Sequence, residues 1–396
     1  MTGSMRGCWW VVLMAVGCSS PNPPEKEPDP CDAPAPGVTC TFLGLAGSEG
    51  FDGDGHAAVA TQVNQPQDLV FLSDGRAWFS DFNNHLVREV GPDGTVTSIV
   101  GWTDPVFPGD GPMGGPPPGG AAGSDWQLFH PSGLAVAPDG AVVVAAWHNH
   151  KLLNVDTKDG WVTIRCGGGP SGEAAGYGGD DGPAEAALLR QPSAVAFDAA
   201  GKLYFVDQLN QRVRVIDEAG VVRAFAGNGE VGVAGDGGLA EAASFDFGSG
   251  SNPNPGGGLV VDGDRVLVAD TENHRVRAID VTTGIIETVV GTGEAGYGGD
   301  DGPAVAAMLR GPRDLEIGPD GALYLADTDN GVVRRVDRST GVITTVVGTG
   351  ELGLAAEDGL AARETPLRRP FGIAFDGEGA LYVVDSANSR VLRVAP

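Results

Sequence analysis

The sequence predicts an all-β fold: a six-bladed β-propeller of four-stranded blades, with the last blade closed by an N-terminal strand. Three observations carry this reading. The chain of 396 residues holds 64 Gly and 28 Pro, so about a quarter of it breaks helices, and short branched runs such as Ala141–Val144 and Thr344–Val347 recur between the breaks. One pattern of strands and turns returns six times. The sixth return lacks its final strand, and an unmatched strand stands near the N-terminus.

Residues 1–17 read as a signal peptide. Arg6 supplies the positive charge, and Trp9–Val16 is apolar but too short to span a bilayer. Leu13-Met14-Ala15-Val16-Gly17-Cys18 resembles the lipobox of bacterial lipoproteins, with Ala15 where Leu is usual. That resemblance implies lipidation at Cys18 and, with Ser19 after it, an outer-membrane lipoprotein at the periplasmic face or the cell surface; plain signal-peptidase cleavage is the alternative. Residues 18–38 are a Pro-rich tether. In an exported chain Cys31 and Cys40 predict a disulfide clasping tether to domain edge, which leaves Cys166 as an unpaired, buried strand residue.

Residues 39–396 form the propeller. Thr39–Gly47 reads as an orphan fourth strand, followed by a Gly/Asp loop, Asp52-Gly53-Asp54-Gly55. Each repeat then runs through strand a after Pro, a Gly turn, strand b ending in Asp, a short turn ending in Asn, strand c carrying Arg, and a Thr/Val strand d. The Asp and Asn pairs are Asp81 and Asn84, Asp207 and Asn210, Asp270 and Asn273, Asp327 and Asn330, and Asp385 and Asn388, with Ala146 and Asn149 in the second repeat. Between blades, GYGGDDGPAEAALLR (Gly176–Arg190) returns as GYGGDDGPAVAAMLR (Gly296–Arg310). Four strands repeated six times close radially, which removes exposed sheet edges.

Asn84-His85-Leu86 spells the triplet that names the NHL repeat, with Asn149-His150-Lys151 and Asn273-His274-Arg275 as variants. With its Gly/Asp connectors the chain resembles bacterial NHL-repeat propellers, similar to those of exported proteins, receptor-kinase sensor domains and teneurins. The resemblance covers residues 39–396 and implies the fold more than a function.

The recurring polar residues read first as architecture. Asp accepts backbone N–H groups in the b–c turn, Asn takes a left-handed conformation, and Arg212 and Arg214 pair with acids of neighbouring blades. In the connectors, Asp180, Asp181, Asp300 and Asp301 serve as loop and cap residues or, alternatively, as weak calcium ligands; Pro183–Leu189 reads as a short helix with Pro at its first position.

Function is sought where a repeat departs from its pattern. Blade 2 lacks the Asp, carries Trp147-His148-Asn149-His150 in its turn and follows the longest connector, Gly101–His130. Connectors and b–c turns share a face, so Trp102, Trp126, Phe129, Trp147 and His148 are expected to form an exposed binding rim, with the alternative that Trp102 and Trp126 pack the long loop onto the blade. The insertion from Phe245 to Gly256 would extend that rim. His130, His148 and His150 are candidate zinc ligands on the same face, resembling the zinc site of peptidyl amidating lyases, although here they cluster in one blade.

Charge sets the partners. Net charge is −27, from 25 Lys and Arg against 52 Asp and Glu, so phosphate backbones are repelled and nucleic acid is excluded. The expectation is a non-enzymatic, monomeric recognition module for a protein, peptide or glycan, touching a membrane only through its lipid. It needs no cofactor, with weak calcium or zinc binding left open. The alternative is a metal-dependent hydrolase or lyase.

Overall fold

A computed structural model describes residues 31, 34–103, 109–112, 117, 119–168, 175–250, 254–355 and 357–396. The signal segment, Cys18 and most of the tether lie outside the described residues. Six antiparallel sheets stand around one axis, as the sequence predicts. Strand a, innermost in each blade, spans Leu69–Phe71, Pro131–Val136, Pro192–Phe197, Leu259–Asp262, Pro312–Ile317 and Pro370–Phe375 in blades 1 to 6. Strands b and c follow outward by simple hairpins in every blade, and strand d does so in blades 1 to 5.

The ring closes as expected. Val38–Leu43 is strand d of blade 6, and Thr39 pairs with Val394 while Thr41 pairs with Leu392. Cys31 and Cys40 form a disulfide beside this strand, and Cys166 is free and buried. Five sheets also gain a short fifth strand outside strand d, supplied by the connector that leads into the same blade; Gly182–Pro183 against Val221–Val222 is one. In blade 4 a single bridge, Leu239 to Ile285, takes its place.

The core is six inter-blade layers, not one central mass. Along strand a the third and fifth residues face the next blade and the fourth faces the preceding one: Leu134 packs with blade 1, Ala135 with blade 3. Strand a backbones crowd near the axis. A Cβ on Gly133, Gly258 or Gly372 would stand 2.7, 2.1 or 2.5 Å from the carbonyl oxygens of Ser193, Arg313 and Gln67. Side chains at this level come only from the alternate blades, as Asp68, Ala194 and Asp314.

The connector differs from the sequence reading. After the short strand at Gly182–Pro183 comes one 3₁₀ turn, Ala184–Ala186, with no side-chain cap. Gly178 pairs with Leu188 in an isolated bridge, which holds the following residues extended.

Candidate functional site

The Asp of strand b is buried and holds its blade together. In blade 5, Asp327 Oδ1 accepts the Arg310 N–H at 2.7 Å, and its Oδ2 accepts from Asn330 Nδ2 at 2.8 Å and from the Arg334 guanidinium at 3.4 Å. Arg334 reaches on to Asp300 at 2.8 Å, and the Asn330 amide donates to Gly296 O. Blades 1, 3 and 4 repeat this with Arg88, Arg214 and Arg277; blade 6 uses Arg390, two residues earlier. Burial pushes the Asp81, Asp207, Asp270 and Asp327 carboxyls up to about 6 against the pull of their arginines and N–H donors.

Two details correct the sequence reading. Arg214 pairs with Asp207 of its own blade and with Asp180 of its own connector, not with a neighbour, because the connector joins the outer edge of the blade it leads into. Arg212 donates to the carbonyl of Asn228 and lies over Tyr177. The left-handed residue is not the Asn but the one after it: His85, His150, Gln211, His274, Gly331 and Ser389 all have positive φ.

That left-handed residue staples adjacent blades. His85 Nδ1 accepts the His130 N–H at 3.2 Å, His150 Nδ1 that of Gln191 at 3.1 Å, and His274 Nδ1 that of Gly311 at 3.2 Å. Between blades 3 and 4 the Gln211 side-chain oxygen does the same for Phe247 N–H. An accepting Nδ1 is unprotonated, so the proton of these neutral rings sits on Nε2.

Blade 2 solves the clamp differently. Ala146 cannot accept, and the Asn149 carbonyl takes the Phe129 N–H at 2.9 Å. The Asn149 amide and Lys151 both reach Asp110 of the connector, at 3.0 and 2.7 Å.

The expected aromatic rim is not exposed. Trp126 is fully buried in the layer between blades 1 and 2. Trp147 is 2% exposed, and its Nε1 donates to Gln208 Oε1 at 2.8 Å. Trp126 replaces the buried Ala187, Ala243 or Ala307 of other connectors, and Trp147 the buried Gln208, Thr271 or Thr328 of other turns. Phe245 and Phe247 are likewise core, stacked at 4.8 Å. Trp102 is half-buried. Phe129, His130 and His148, also half-buried, join His85, Phe82 and Trp147 in a cluster of rings, most neighbours 4.1 to 5.5 Å apart.

The proposed zinc triad is not assembled. His130 and His148 approach Nδ1 to Nδ1 at 2.6 Å, but His150 is turned to Gln191. Burial holds His85, His148 and His150 down at about 4 and His130 at about 3, so the cluster is uncharged at neutral pH. Among the described residues no three His, Cys, Asp or Glu side chains are grouped to hold a metal ion. The connector acids are engaged too: Asp180 and Asp300 bind Arg214 and Arg334, while Asp181 and Asp301 take left-handed turn positions.

The sequence reading passed over the axis. A central channel of about 440 Å³ is lined by strand a of all six blades. Near its turn-face mouth lie Gln67, Ser132, Ser193 and Arg313, then Asp68 and Asp314, with Glu316 deeper. Asp68 accepts Leu134 N–H at 2.7 Å and Asp314 accepts Ile373 N–H at 2.8 Å, so each stitches its blade to the next. Burial pushes Asp68 up to about 7 and Asp314 well above the usual range; Glu316 is raised to about 7 by burial and then by the charge of Asp68. Arg313 donates to Pro255 O at 2.5 Å, lies 5.1 Å from the Phe371 ring centre and has Glu272 within 3.5 Å. The signal was visible as acids where other blades carry Gly133, Ala194, Gly258 and Gly372.

Comparison with known proteins agrees on fold. The NHL repeat family matches residues 257–279, strands a to c of blade 4. The chain is 29% identical over 279 residues to Protein SUPPRESSOR OF QUENCHING 1, chloroplastic, of Arabidopsis thaliana, covering 67% of this chain and 25% of that protein. It is 24% identical over 362 residues to Teneurin-1 of Caenorhabditis elegans, covering 84% and 12%. It thus spans a quarter or less of either relative. Among solved structures it is similar to an auxiliary nutrient binding protein from Bacteroides ovatus, with TM-score 0.60, 16% identity, and 91% and 76% of the two chains covered. The chain is therefore a six-bladed β-propeller that carries a matched NHL repeat in its fourth blade.

Proposed function

We propose that this protein is an extracytoplasmic recognition propeller, tethered to the outer membrane through Cys18, that binds its ligand non-enzymatically at the central channel. One observation carries the reading. The buried arginine of each clamp has a carboxylate partner, whereas the Glu316 carboxylate, which lines the channel, has no hydrogen-bond or ion-pair partner among the described residues. Unspent polar groups on rigid strands are what a ligand site requires, because little ordering entropy is lost on binding.

The protein-docking face once expected on blade 2 loses its support, since Trp126 and Trp147 are core. The ligand class becomes a solute, or a peptide or glycan segment, of a size to enter the channel. The structural neighbour named for nutrient binding is in keeping with a binding role, and its likeness extends to fold alone. Gly37 bonds Ala395 where other blades place the c–d turn, so the described chain enters blade 6 on that side.

A metal-dependent hydrolase or lyase would need three donors grouped on one ion, and among the described residues no such group of His, Cys, Asp or Glu is present. Thermal-shift screening of the mature protein against solute, peptide and glycan panels tests the proposal. A ligand that raises Tm without being converted supports it; chelator-sensitive turnover would replace it with the enzymatic reading.

A further inference from the structure

The cluster of rings on the turn face holds a pair of nitrogens that the channel does not use. His130 closes the connector before strand a of blade 2, and His148 stands in the turn after strand b. The two backbones are laced together: His130 O accepts the Trp147 N–H at 3.2 Å, and Phe129 O accepts the His148 N–H at 3.1 Å. The side chains are held as firmly. Phe82 packs on His130 and Trp147 on His148, with ring centres 4.5 and 4.1 Å apart, and Phe129 touches both imidazoles at 4.8 and 4.7 Å. Their Nδ1 atoms therefore face each other at 2.6 Å. One Nδ1 must carry a proton for this contact, since two bare lone pairs repel. Both rings are half-buried, and neither lines the channel.

We infer that His130 and His148 form a two-imidazole site for a divalent copper ion, bound through both Nδ1 atoms with its remaining coordination positions open. Geometry and ligand count select this ion. At a metal–nitrogen distance of about 2.0 Å, donors at a right angle stand about 2.8 Å apart and tetrahedral donors about 3.3 Å. The observed pair must open only slightly for the square arrangement, and the flanking rings oppose the wider one. Among the described residues no third His, Cys, Asp or Glu joins the pair, so the described protein supplies two donors only. Cu²⁺ binds nitrogen ligands most tightly among the first-row divalent ions, and is the one that two imidazoles hold best. Binding moves the shared proton to Nε2 of its own ring, so both imidazoles stay neutral and neither releases a proton. The net charge of −27 draws cations to the molecule.

The site is separate from the channel, so its failure would leave the recognition reading standing. The test is titration of the mature protein at neutral pH with Cu²⁺ and, separately, with Zn²⁺, read by calorimetry and, for copper, by electron paramagnetic resonance. One saturable Cu²⁺ site per chain that depends on His148 is expected, with a tetragonal spectrum split by two imidazole nitrogens, and Zn²⁺ should bind there at least tenfold more weakly. His148→Phe keeps the ring packing and removes the donor. That variant and His148→Gln should each lose at least tenfold in Cu²⁺ affinity, whereas His56→Ala, which removes an exposed histidine, should bind as the wild type does. Thermal melts establish which variants fold. Absence of a saturable Cu²⁺ site, a site that His148→Phe or His148→Gln leaves intact, equal loss in His56→Ala, or tighter binding of Zn²⁺ than of Cu²⁺ would overturn the assignment.

Discussion

Blades 5 and 2 perform the same task with different chemistry. In blade 5 a fully buried Asp327 is answered by Arg334, which also ties down the connector at Asp300. In blade 2 the acid has moved off strand b and into the connector, where Asp110 receives Lys151 from a site 8% exposed. Blade 5 therefore depends on a fully buried acid that must always be paired, and blade 2 on a buried pair whose acid keeps 8% of its surface exposed. The recurring element is not a residue set but a requirement: one acceptor for the connector N–H, and one cation joining strand c to the connector.

Charge removal should separate the two blades sharply. Arg334→Ala strands Asp327 without a counter-charge and is expected to cost about 3–5 kcal/mol. Trp147→Ala removes a buried ring and orphans Gln208, at a cost of roughly 3–4 kcal/mol. Denaturant melts check both; a Trp147 variant with unchanged midpoint would contradict its assignment as core.

The channel edge of blade 5 should respond to pH. Glu316 is raised from 4.5 to about 7, so its contribution is fully present below about 4.5 and is lost as pH rises through about 7. Glu316→Gln should match wild type at pH 4 and exceed it by on the order of 2 kcal/mol at pH 8. Equal stabilities at pH 8 would show that the carboxyl ionises at no cost.

Smaller effects belong to the staples and to Lys151. His85→Ala leaves the His130 N–H unanswered and should cost about 1–2 kcal/mol, while His85→Gln restores most of it, as Gln211 does naturally. Lys151→Met should cost about 2 kcal/mol, below the Arg334 change, because Asp110 is 8% exposed, where Asp327 is fully buried, and keeps its bond from the Asn149 amide. A Lys151 effect as large as that of Arg334 would remove the contrast between the blades.

The fold was legible because each blade restates the same strand and turn code, and the missing last strand was matched by the unpaired one at Val38–Leu43. The site was not, for a specific reason. Trp126 and Trp147 stand out by rarity, yet each occupies a position that is buried in every blade, so size changed and exposure did not. Strand a carried the more telling departures, because near the axis backbones nearly touch and three blades accept only Gly. An acid at that level has nowhere to go but the channel or the next blade's N–H. The left-handed turn position was also readable, since Gly331 stands there in blade 5 and His, Gln or Ser elsewhere.

The closing strand also sets an order in time. Thr39 and Thr365 bond hydroxyl to hydroxyl at 2.7 Å across 326 positions of chain, so the ring cannot shut until almost all of the polypeptide has been made and delivered. Loop-closure entropy grows only logarithmically, so the delay burdens the rate far more than the final stability. Five blades can zip locally while the sixth waits with an open edge on strand c, the species most exposed to aggregation or proteolysis. Pulse-labelled hydrogen exchange during refolding should show Thr41 and Leu392 gaining protection last; early protection there would mean that the termini meet before the blades form.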